Sequence, residues 1–477
     1  MAGTIERGAF TLFVSSFIFF ITSYVIYFAL GRLLGESDFG VYGVIISFVF
    51  IFIRFLMTGM EQTVSKFVSE TPKKHESVKK TAFMLQLSAS SIIFLAILLL
   101  APLIAFLLND LSLIPLIQLV APLVIVHPLF ALFSGALNGL KRFSAQAAFT
   151  AFYSFAKVLF IVGLVLLGFG LFGAVSGFIL SSAVAVVVGL VLVGVNFKSE
   201  YFPARKVAAF ALPIGGLAVI INTLMSVDLF AVKALSPALE ANLLSGYYTA
   251  AGSIAKVIPT LALSLSSVVF PLVSATTFTK NLEKARFYIS NGLRYSLLFI
   301  VLLSSLFLSL APETLALVYG ERYIPGSFPL QLLALGMGLF AIFMMLTTII
   351  SAAGKAKTVF TIGFMVLALD IALNFLLVPG LGMEGAALST LFSGLFGTMV
   401  AAAFVRARFR ALVQKRTALR IAVAGLLVFA LAPFLPGNGT MVVFKYFLLT
   451  VLYIAALAAM RELRYFDFVV FHNIVRK

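Results

Sequence analysis

The chain has 477 residues, of which 62% are hydrophobic and only 11% are charged, and its net charge is +17. So much apolar surface cannot be buried in one water-soluble core, so the composition excludes a soluble globular protein and predicts an all-α integral membrane protein. The sequence contains no cysteine, which excludes disulfide bonds and thiol chemistry.

Runs of about 20 apolar residues, enough to cross ~30 Å of hydrocarbon, recur along the whole chain. The N-terminal segment lacks a basic region and a small-residue cleavage site, so the first run is expected to be a retained helix rather than a signal peptide. About fourteen transmembrane helices are predicted, at about 9–30, 39–60, 82–108, 114–137, 145–169, 171–195, 208–234, 246–272, 288–310, 327–353, 357–378, 382–405, 418–435 and 441–460.

The basic residues lie in alternate loops between these predicted spans. If the N-terminus is inside, the outer loops hold only Arg32, Lys233 and Arg322, and the cytoplasmic segments hold most of the others. This asymmetry follows the positive-inside rule and predicts a multi-pass protein of the cell membrane with both termini cytoplasmic. Topology and attraction to anionic membrane lipids explain the positive charge, so no nucleic acid partner is expected.

Three stretches recur in the same order about 206 to 215 residues later, which indicates an internal repeat. Gly40 in span 2 aligns with Gly246 in span 8, "GLFGAVSGFILSS" resembles "GLGMEGAALSTLFSG", and the short basic turns "GLKRF" and "AGKAK" precede spans 5 and 11. Six spans per repeat predict two parallel six-helix lobes related by a pseudo-twofold axis along the membrane normal, as in alternating-access transporters. The expected divisions are an N-lobe (1–200), a C-lobe (201–410), and two further helices with a cytoplasmic amphipathic tail (411–477).

Three cations lie inside predicted spans, namely Arg54, Lys157 and Lys256. Intramembrane charge usually faces a water-filled cavity or pathway, and a cationic cavity predicts an anionic substrate. The alternative for each cation is a structural salt bridge or a side chain that extends to the interface. For Arg294 and Lys445, which lie near span ends, that alternative is the preferred interpretation.

Several motifs resemble one transporter family. "YFALGRLLGESDFGVYGVIISF", "VYGERYIPGSFPLQLLALG" and "FPLVSA" resemble the polysaccharide-export branch of the multidrug/oligosaccharidyl-lipid/polysaccharide (MOP) transporter superfamily, which also holds multidrug extruders and lipid II flippases. The resemblance implies a flippase that moves a polyprenyl-phosphate- or pyrophosphate-linked oligosaccharide to the outer leaflet by alternating access, for surface polysaccharide or glycoprotein assembly. Arg54, Lys157 and Lys256 could then meet the anionic phosphate linkage. The basic triad of the lipid II flippase has no residue-by-residue match, which makes lipid II a less favoured substrate.

Sugar recognition should need aromatic rings and polar partners. Tyr24 and Tyr27 lie on one side of span 1 and are candidates to line the cavity, together with Asn222 and Ser226 of span 7. Tyr247 and Tyr248 open span 8, where an interfacial aromatic belt is the commoner explanation.

Three polar residues of the C-lobe, Asp228, Asp370 and Asn374, are candidates to bind a coupling ion, either Na⁺ or H⁺. The alternative is that the two carboxylates neutralise Lys256. His127, before Pro128 in span 4, could couple protons or simply bond to a neighbouring helix. No nucleotide-binding motif is present, so no ATP site, metal or other cofactor is expected, and we expect the chain to act as a monomer.

Two other function classes compete with the flippase. A cation-coupled multidrug extruder should have carboxylates in its N-lobe, where Arg54 and Lys157 are basic and Glu61 is the exception. A membrane glycosyltransferase or polymerase is a more distant alternative, because such an enzyme usually needs a sizeable polar loop and paired acids. We therefore expect a transporter and not an enzyme.

Overall fold

In the computed structural model, which describes residues 2–279, 281–435 and 441–463, the chain is helical and these residues contain no strand. The predicted amphipathic tail beyond residue 463 lies outside the described residues. The chain divides into two compact units between Thr249 and Ala250. The lobe boundaries predicted near residues 200 and 410 remain predictions.

Ten helices begin in the first unit. They are α1 (Ala2–Leu34), α2 (Glu36–Glu70), α3 (His75–Leu107), α4 (Ile114–Val120), α5 (Leu123–Gly139), α6 (Phe143–Leu164), α7 (Gly170–Val193), α8 (Ala204–Leu224), α9 (Val227–Leu235) and α10 (Ala241–Ala255). Seven more follow in the described part of the second unit. They are α11 (Val257–Phe278), α12 (Leu282–Ser309), α13 (Ala311–Tyr319), α14 (Ser327–Ala352), α15 (Ala356–Phe409), α16 (Lys415–Leu431) and α17 (Met441–Ala459).

Among the described residues, 11 helical segments are long and apolar enough to cross a membrane. Two of them, Phe143–Val193 and Ala356–Phe409, have 51 and 54 residues, more than twice what one crossing needs. Each contains a glycine with positive φ, Gly168 at 91° and Gly382 at 56°, where the helical path is interrupted. Predicted spans 5 and 6, and 11 and 12, meet near these glycines. The helices are therefore compatible with about fourteen spans, a count that remains a prediction.

Predicted span 8 is not one continuous helix. Helix α10 ends at Ala255 and α11 begins at Val257, so Lys256 lies at a break rather than in a helix interior. Pro259 explains the break, because a proline ring clashes with the carbonyl group four residues earlier, here that of Ala255.

Helix α2 approaches α10 with almost no space between the two backbones. A Cβ atom added at Gly246 would overlap with the carbonyl group of Glu36, and one added at Gly40 would overlap with the carbonyl oxygen of Asn242. Gly40 and Gly246 are the pair that the internal repeat aligns. The glycine on each helix therefore allows the two backbones to touch, and any residue with a side chain would prevent this contact.

An ion pair lies near the same ends of these helices. The Lys233 side chain is 1% exposed, and its Nζ lies 2.7 Å from Asp110 Oδ2 and also bonds to Asn242 Oδ1. Asp110, in the loop after α3, also accepts a hydrogen bond from the Ser112 hydroxyl. Burial raises the pKa of the Asp110 carboxyl, but the hydrogen bonds from Lys233 and Ser112 outweigh it, and the net pKa is lowered.

Helix α3 holds the segment that joins α7 to α8. Lys79 Nζ donates to the carbonyl oxygen of Val193 at 2.9 Å, and Lys80 Nζ donates to that of Ser199 at 2.7 Å. The Thr81 hydroxyl accepts the backbone N–H of Phe202 at 2.8 Å. Both lysines are buried, although the sequence placed them among ordinary loop cations.

In the second unit, buried ion pairs attach the last two helices. Arg294 Nε lies 2.8 Å from Glu462 Oε1, and Arg420 approaches the other oxygen of Glu462 at 3.3 Å. Lys445 Nζ lies 3.4 Å from Glu313 Oε1. The structural interpretation preferred for Arg294 and Lys445 is thus confirmed.

Candidate functional site

One face of α2 is directed into the interior of the first unit. Phe50 and Arg54 stand one turn apart, and Glu61 follows two turns later on the same side of the helix. The Phe50 ring lies 5.7 Å from the ring of His127 on α5 and 5.8 Å from that of Phe178 on α7. This face of α2 therefore points towards α5 and α7.

The Arg54 side chain on that inward face is exposed, and other side chains of the first unit lie near it. Its guanidinium lies 6.0 Å from the Phe50 ring centroid, and the ionisable side chains of Glu61, His127 and Lys157 are near enough to interact with its charge. Within the described residues, Arg54 forms no ion pair. Arg54 thus keeps accessible surface on a face of α2 that points towards other helices, so its guanidinium can meet a ligand there.

Lys157 on α6 lies near Arg54 but is enclosed, with 5% of its surface exposed. Its Nζ donates to the Ser23 hydroxyl at 3.0 Å and lies 4.2 Å from the Phe19 ring centroid. The Tyr153 ring also surrounds it, at 5.5 Å. Cation–π contacts and one hydrogen bond thus stabilise this ammonium group, with no carboxylate among its described partners. In this structure Lys157 contributes positive potential to the cavity rather than an accessible donor.

A buried polar group lies beside this lysine. Tyr153 Oη is 2.9 Å from His127 Nδ1, Ser182 Oγ is 3.3 Å from the same nitrogen, and the two hydroxyls are 3.2 Å apart. These contacts join α5, α6 and α7. His127 therefore bonds to neighbouring helices, as its simpler interpretation expected, and proton coupling through it remains untested.

The two tyrosines expected to line the cavity take different positions on α1. Tyr24 packs along its own helix, with ring centroids 4.7 Å from Phe20 and 5.8 Å from Phe28. Tyr27 contacts α2, 6.1 Å from the Tyr42 ring in an edge-on arrangement. Both are half-buried, so each keeps an accessible surface, and their contact with a sugar remains a prediction.

The polar residues of predicted span 7 lie around the point where that span is interrupted, in the last turn of α8 and the first turn of α9. Ser226 is buried and precedes α9, and Asn222 Nδ2 is buried with no hydrogen-bond partner among the described residues. Asp228 is 1% exposed and accepts hydrogen bonds from the Tyr248 hydroxyl at 2.7 Å and from the Leu229 N–H at 2.8 Å. Tyr248 is therefore buried in this network, and the expected interfacial belt does not describe it.

Three further predicted residues lie in the second unit. Lys256 is half-buried at the break between α10 and α11. Asp370 and Asn374 are both buried on α15, where Asn374 Nδ2 donates to the Asp370 carbonyl oxygen at 2.9 Å and Ser393 donates to Asp370 Oδ1 at 3.0 Å. The Asn374 side-chain oxygen has no hydrogen-bond partner among the described residues. This pair is brought together, as its shared helix face predicted.

Sequence reasoning missed the aromatic enclosure of Lys157. Tyr153 could have been found, because it lies one turn before Lys157 on the same helix face. Phe19 and Phe178 come from α1 and α7, and no local pattern connects them with a lysine on α6.

A profile of the polysaccharide biosynthesis protein family matches residues 5–278, more than half of the chain. No curated protein matches. Among solved structures, the lipid II flippase MurJ in an inward closed conformation has a TM-score of 0.78 at 17% identity, covering 94% of this chain and 99% of that one. An inward-facing multidrug resistance MATE family transporter of the MOP superfamily has a TM-score of 0.66 at 16% identity, covering 80% of this chain and 94% of that one.

A MOP superfamily transporter from Pyrococcus furiosus, described as having a binding pocket of reverse polarity, has a TM-score of 0.63 at 15% identity. That match covers 85% of this chain and 96% of the other. At such identities these likenesses show the fold, which agrees with the predicted all-α membrane architecture.

Proposed function

The chain belongs to the polysaccharide biosynthesis protein family, and from this membership and the charge of its cavity we propose that it is a flippase for a lipid-linked oligosaccharide. Its family and fold are those of transporters and flippases rather than of enzymes. The proposed substrate is a polyprenyl chain joined to a saccharide through phosphate or pyrophosphate, moved from the cytoplasmic to the outer leaflet.

The observation that carries this proposal is Arg54, a cation exposed on the inward face of α2 with no ion-pair partner among the described residues. A guanidinium offers forked donors that match phosphate oxygens, and a charge-assisted contact of this kind contributes about 1.5–3 kcal/mol. Lys157 nearby adds positive potential. An anionic linkage therefore suits this cavity better than a cationic drug does.

The cost of the unpaired charge supports the same substrate. A lone cation at this depth in a membrane costs at least ~2.5–3.5 kcal/mol, and a water-filled cavity reduces that cost. A phosphate that enters the cavity would replace part of the water around Arg54. The lipid tail can stay in the bilayer while the headgroup crosses.

Reconstituted vesicles provide the test. Purified protein in proteoliposomes should move a fluorescent polyprenyl-pyrophosphate-linked oligosaccharide between leaflets at a rate well above that of protein-free vesicles. The same vesicles, given a cationic drug and an ion gradient, should show no active drug transport. Drug transport without movement of the lipid-linked saccharide would instead support the multidrug extruder.

Ion coupling forms a separate part of the proposal. Asp370 and Asn374 would bind Na⁺ or H⁺, because a buried carboxylate and an amide oxygen lie on one face of α15. Asp370→Asn should abolish the dependence of transport on the ion gradient. Unchanged gradient dependence in that variant would show that these residues have only a structural role.

A further inference from the structure

Glu61 lies on the same inward face of α2 as Arg54, seven residues further along, which is about 10 Å of helix rise. It is the carboxylate nearest to Arg54 along this face. The flippase proposal gives it no role, and a cation extruder would use it differently. Its surroundings indicate what it can bind.

The backbone at Glu61 is fixed by α5. A Cβ atom added at Gly135 would overlap with the carbonyl oxygen of Glu61, and one added at Gly139, one turn on, would lie 2.7 Å from the carbonyl oxygen of Ser65. The two helices therefore touch backbone to backbone at this level. This packing fixes the backbone position from which the Glu61 side chain extends.

A chain of hydrogen bonds then fixes one side of the carboxylate. Ser134 on α5 donates to Glu61 Oε1 at 3.3 Å, and Gln146 on α6 donates to Ser134 at 3.1 Å. Asn138 donates to Gln146 Oε1 at 3.0 Å, and Ser65 donates to Asn138 at 2.8 Å. The chain begins and ends on α2 and passes through α5 and α6. It orients Glu61 as supporting shells orient binding groups.

The second carboxylate oxygen is left available. Within the described residues, Glu61 Oε2 has no hydrogen-bond or ion-pair partner, and the side chain is only half-buried. An ionised carboxylate accepts strong hydrogen bonds from hydroxyl groups but repels phosphate. Glu61 is thus suited to the part of a ligand that carries hydroxyls rather than charge.

We propose that Glu61 recognises the saccharide of the substrate. Its carboxylate accepts hydrogen bonds from the hydroxyls of the first sugar, the one next to the phosphate that Arg54 binds. This inference rests on the proposed flippase function and deepens it. Two opposite charges about 10 Å apart along one helix match a headgroup whose anionic linkage and hydroxylated ring are adjacent. Ser134 and Gln146 are positioning residues in this arrangement.

The test compares two substrates and three variants. Proteoliposomes would carry the wild-type protein, Glu61→Gln, Glu61→Ala or the control Glu70→Gln, which alters an exposed carboxylate on the same helix. Each is assayed with a polyprenyl phosphate that bears a sugar and with the same polyprenyl phosphate without one. Folding is checked by monodispersity and thermal unfolding.

Both Glu61 variants should slow transport of the sugar-bearing lipid about tenfold and leave that of the bare lipid phosphate within about twofold. Glu70→Gln should change neither rate. A further measurement is binding to the purified protein: hexose 1-phosphates should bind more tightly than inorganic phosphate to the wild type, and Glu61→Gln should remove that preference.

Three results would overturn the inference while the flippase function stands. These are equal rates in wild type and both Glu61 variants, an equal loss for both lipids, and an unchanged preference for hexose phosphates. The failure of the wild-type protein to move either lipid would instead overturn the flippase function itself.

Discussion

Helix α2 has two stretches with different surroundings, one near Gly40 and one from Phe50 to Glu61. Near Gly40 the helix meets α10 so closely that a methyl group does not fit. From Phe50 to Glu61 the inward face instead carries an exposed arginine and a half-buried glutamate. The first stretch is built for contact between helices, and the second leaves room for a ligand. One continuous helix therefore carries both the candidate ligand-binding face and the close helix contact.

If the chain works by alternating access, helix contacts must change during the cycle, and we expect the contact near Gly40 to be one of them. Gly40 and Gly246 contribute no side chains, so the contact consists of close backbone packing that an added methyl group would disrupt. The two stretches should consequently respond to different substitutions, one through binding and the other through the change of conformation.

The largest effect is expected at the ligand stretch. Arg54→Gln removes the charge that would bind the phosphate linkage, so transport of the lipid-linked saccharide should fall about 10- to 100-fold. Arg54→Lys should retain part of the activity, because a lysine keeps the charge without the forked donors. Thermal unfolding of both variants should match the wild type. Wild-type transport by Arg54→Gln would show that this arginine is structural.

A smaller effect is expected at the contact stretch. Gly246→Ala places a methyl group against the carbonyl group of Glu36, so α2 and α10 can no longer approach as they do here. Transport should fall about tenfold, while the affinity for polyprenyl phosphate stays within about threefold. Gly216→Ala is the matched control, since nothing lies within 4 Å of the added atom. Equal transport rates for Gly246→Ala and Gly216→Ala would show that the close contact has no role in transport.

The ion pair near these helix ends should have the smallest effect on transport. Asp110→Asn leaves Lys233 buried with a weaker partner, and the stability of the protein should fall by about 1–3 kcal/mol. Because the pKa of Asp110 is lowered, its stabilising charge is present above the ordinary aspartate range and is lost only as the pH falls through the lowered pKa. The difference in melting temperature between wild type and variant should thus be constant from pH 8 to pH 5. A melting-temperature difference that becomes smaller between pH 8 and pH 5 would contradict a stabilising ion pair between Asp110 and Lys233.

The apolar runs predicted the helical membrane fold because bilayer thickness imposes a helix length that is visible in the sequence. Motifs also predicted the family, which the profile match confirmed. The break at Lys256 was missed, although Pro259 three residues later was its signal. The contacts of Lys157 with Phe19 and Phe178 could not be predicted, since these two rings come from helices distant in the sequence. Hydrophobic periodicity predicts which residues share a face of one helix, but it does not predict which other helix packs against that face.

Lys79 and Lys80 show a second limit of sequence reasoning. Counting loop cations gave the predicted topology, but it could not distinguish a solvated lysine from one whose ammonium group caps backbone carbonyls of the α7–α8 connection. Both kinds look alike in a charge pattern. Only the packing of α3 against that connection separates them.

Arg54 is expected to bind the phosphate linkage of the substrate, and a binding measurement tests this most directly. The affinities of polyprenyl phosphate and of the uncharged polyprenol would be compared for wild-type protein and Arg54→Gln in the same detergent. We expect the wild type to bind the phosphate form at least tenfold more tightly and the variant to lose most of that difference, with polyprenol binding unchanged. An equal preference for the phosphate form in both proteins would contradict the account.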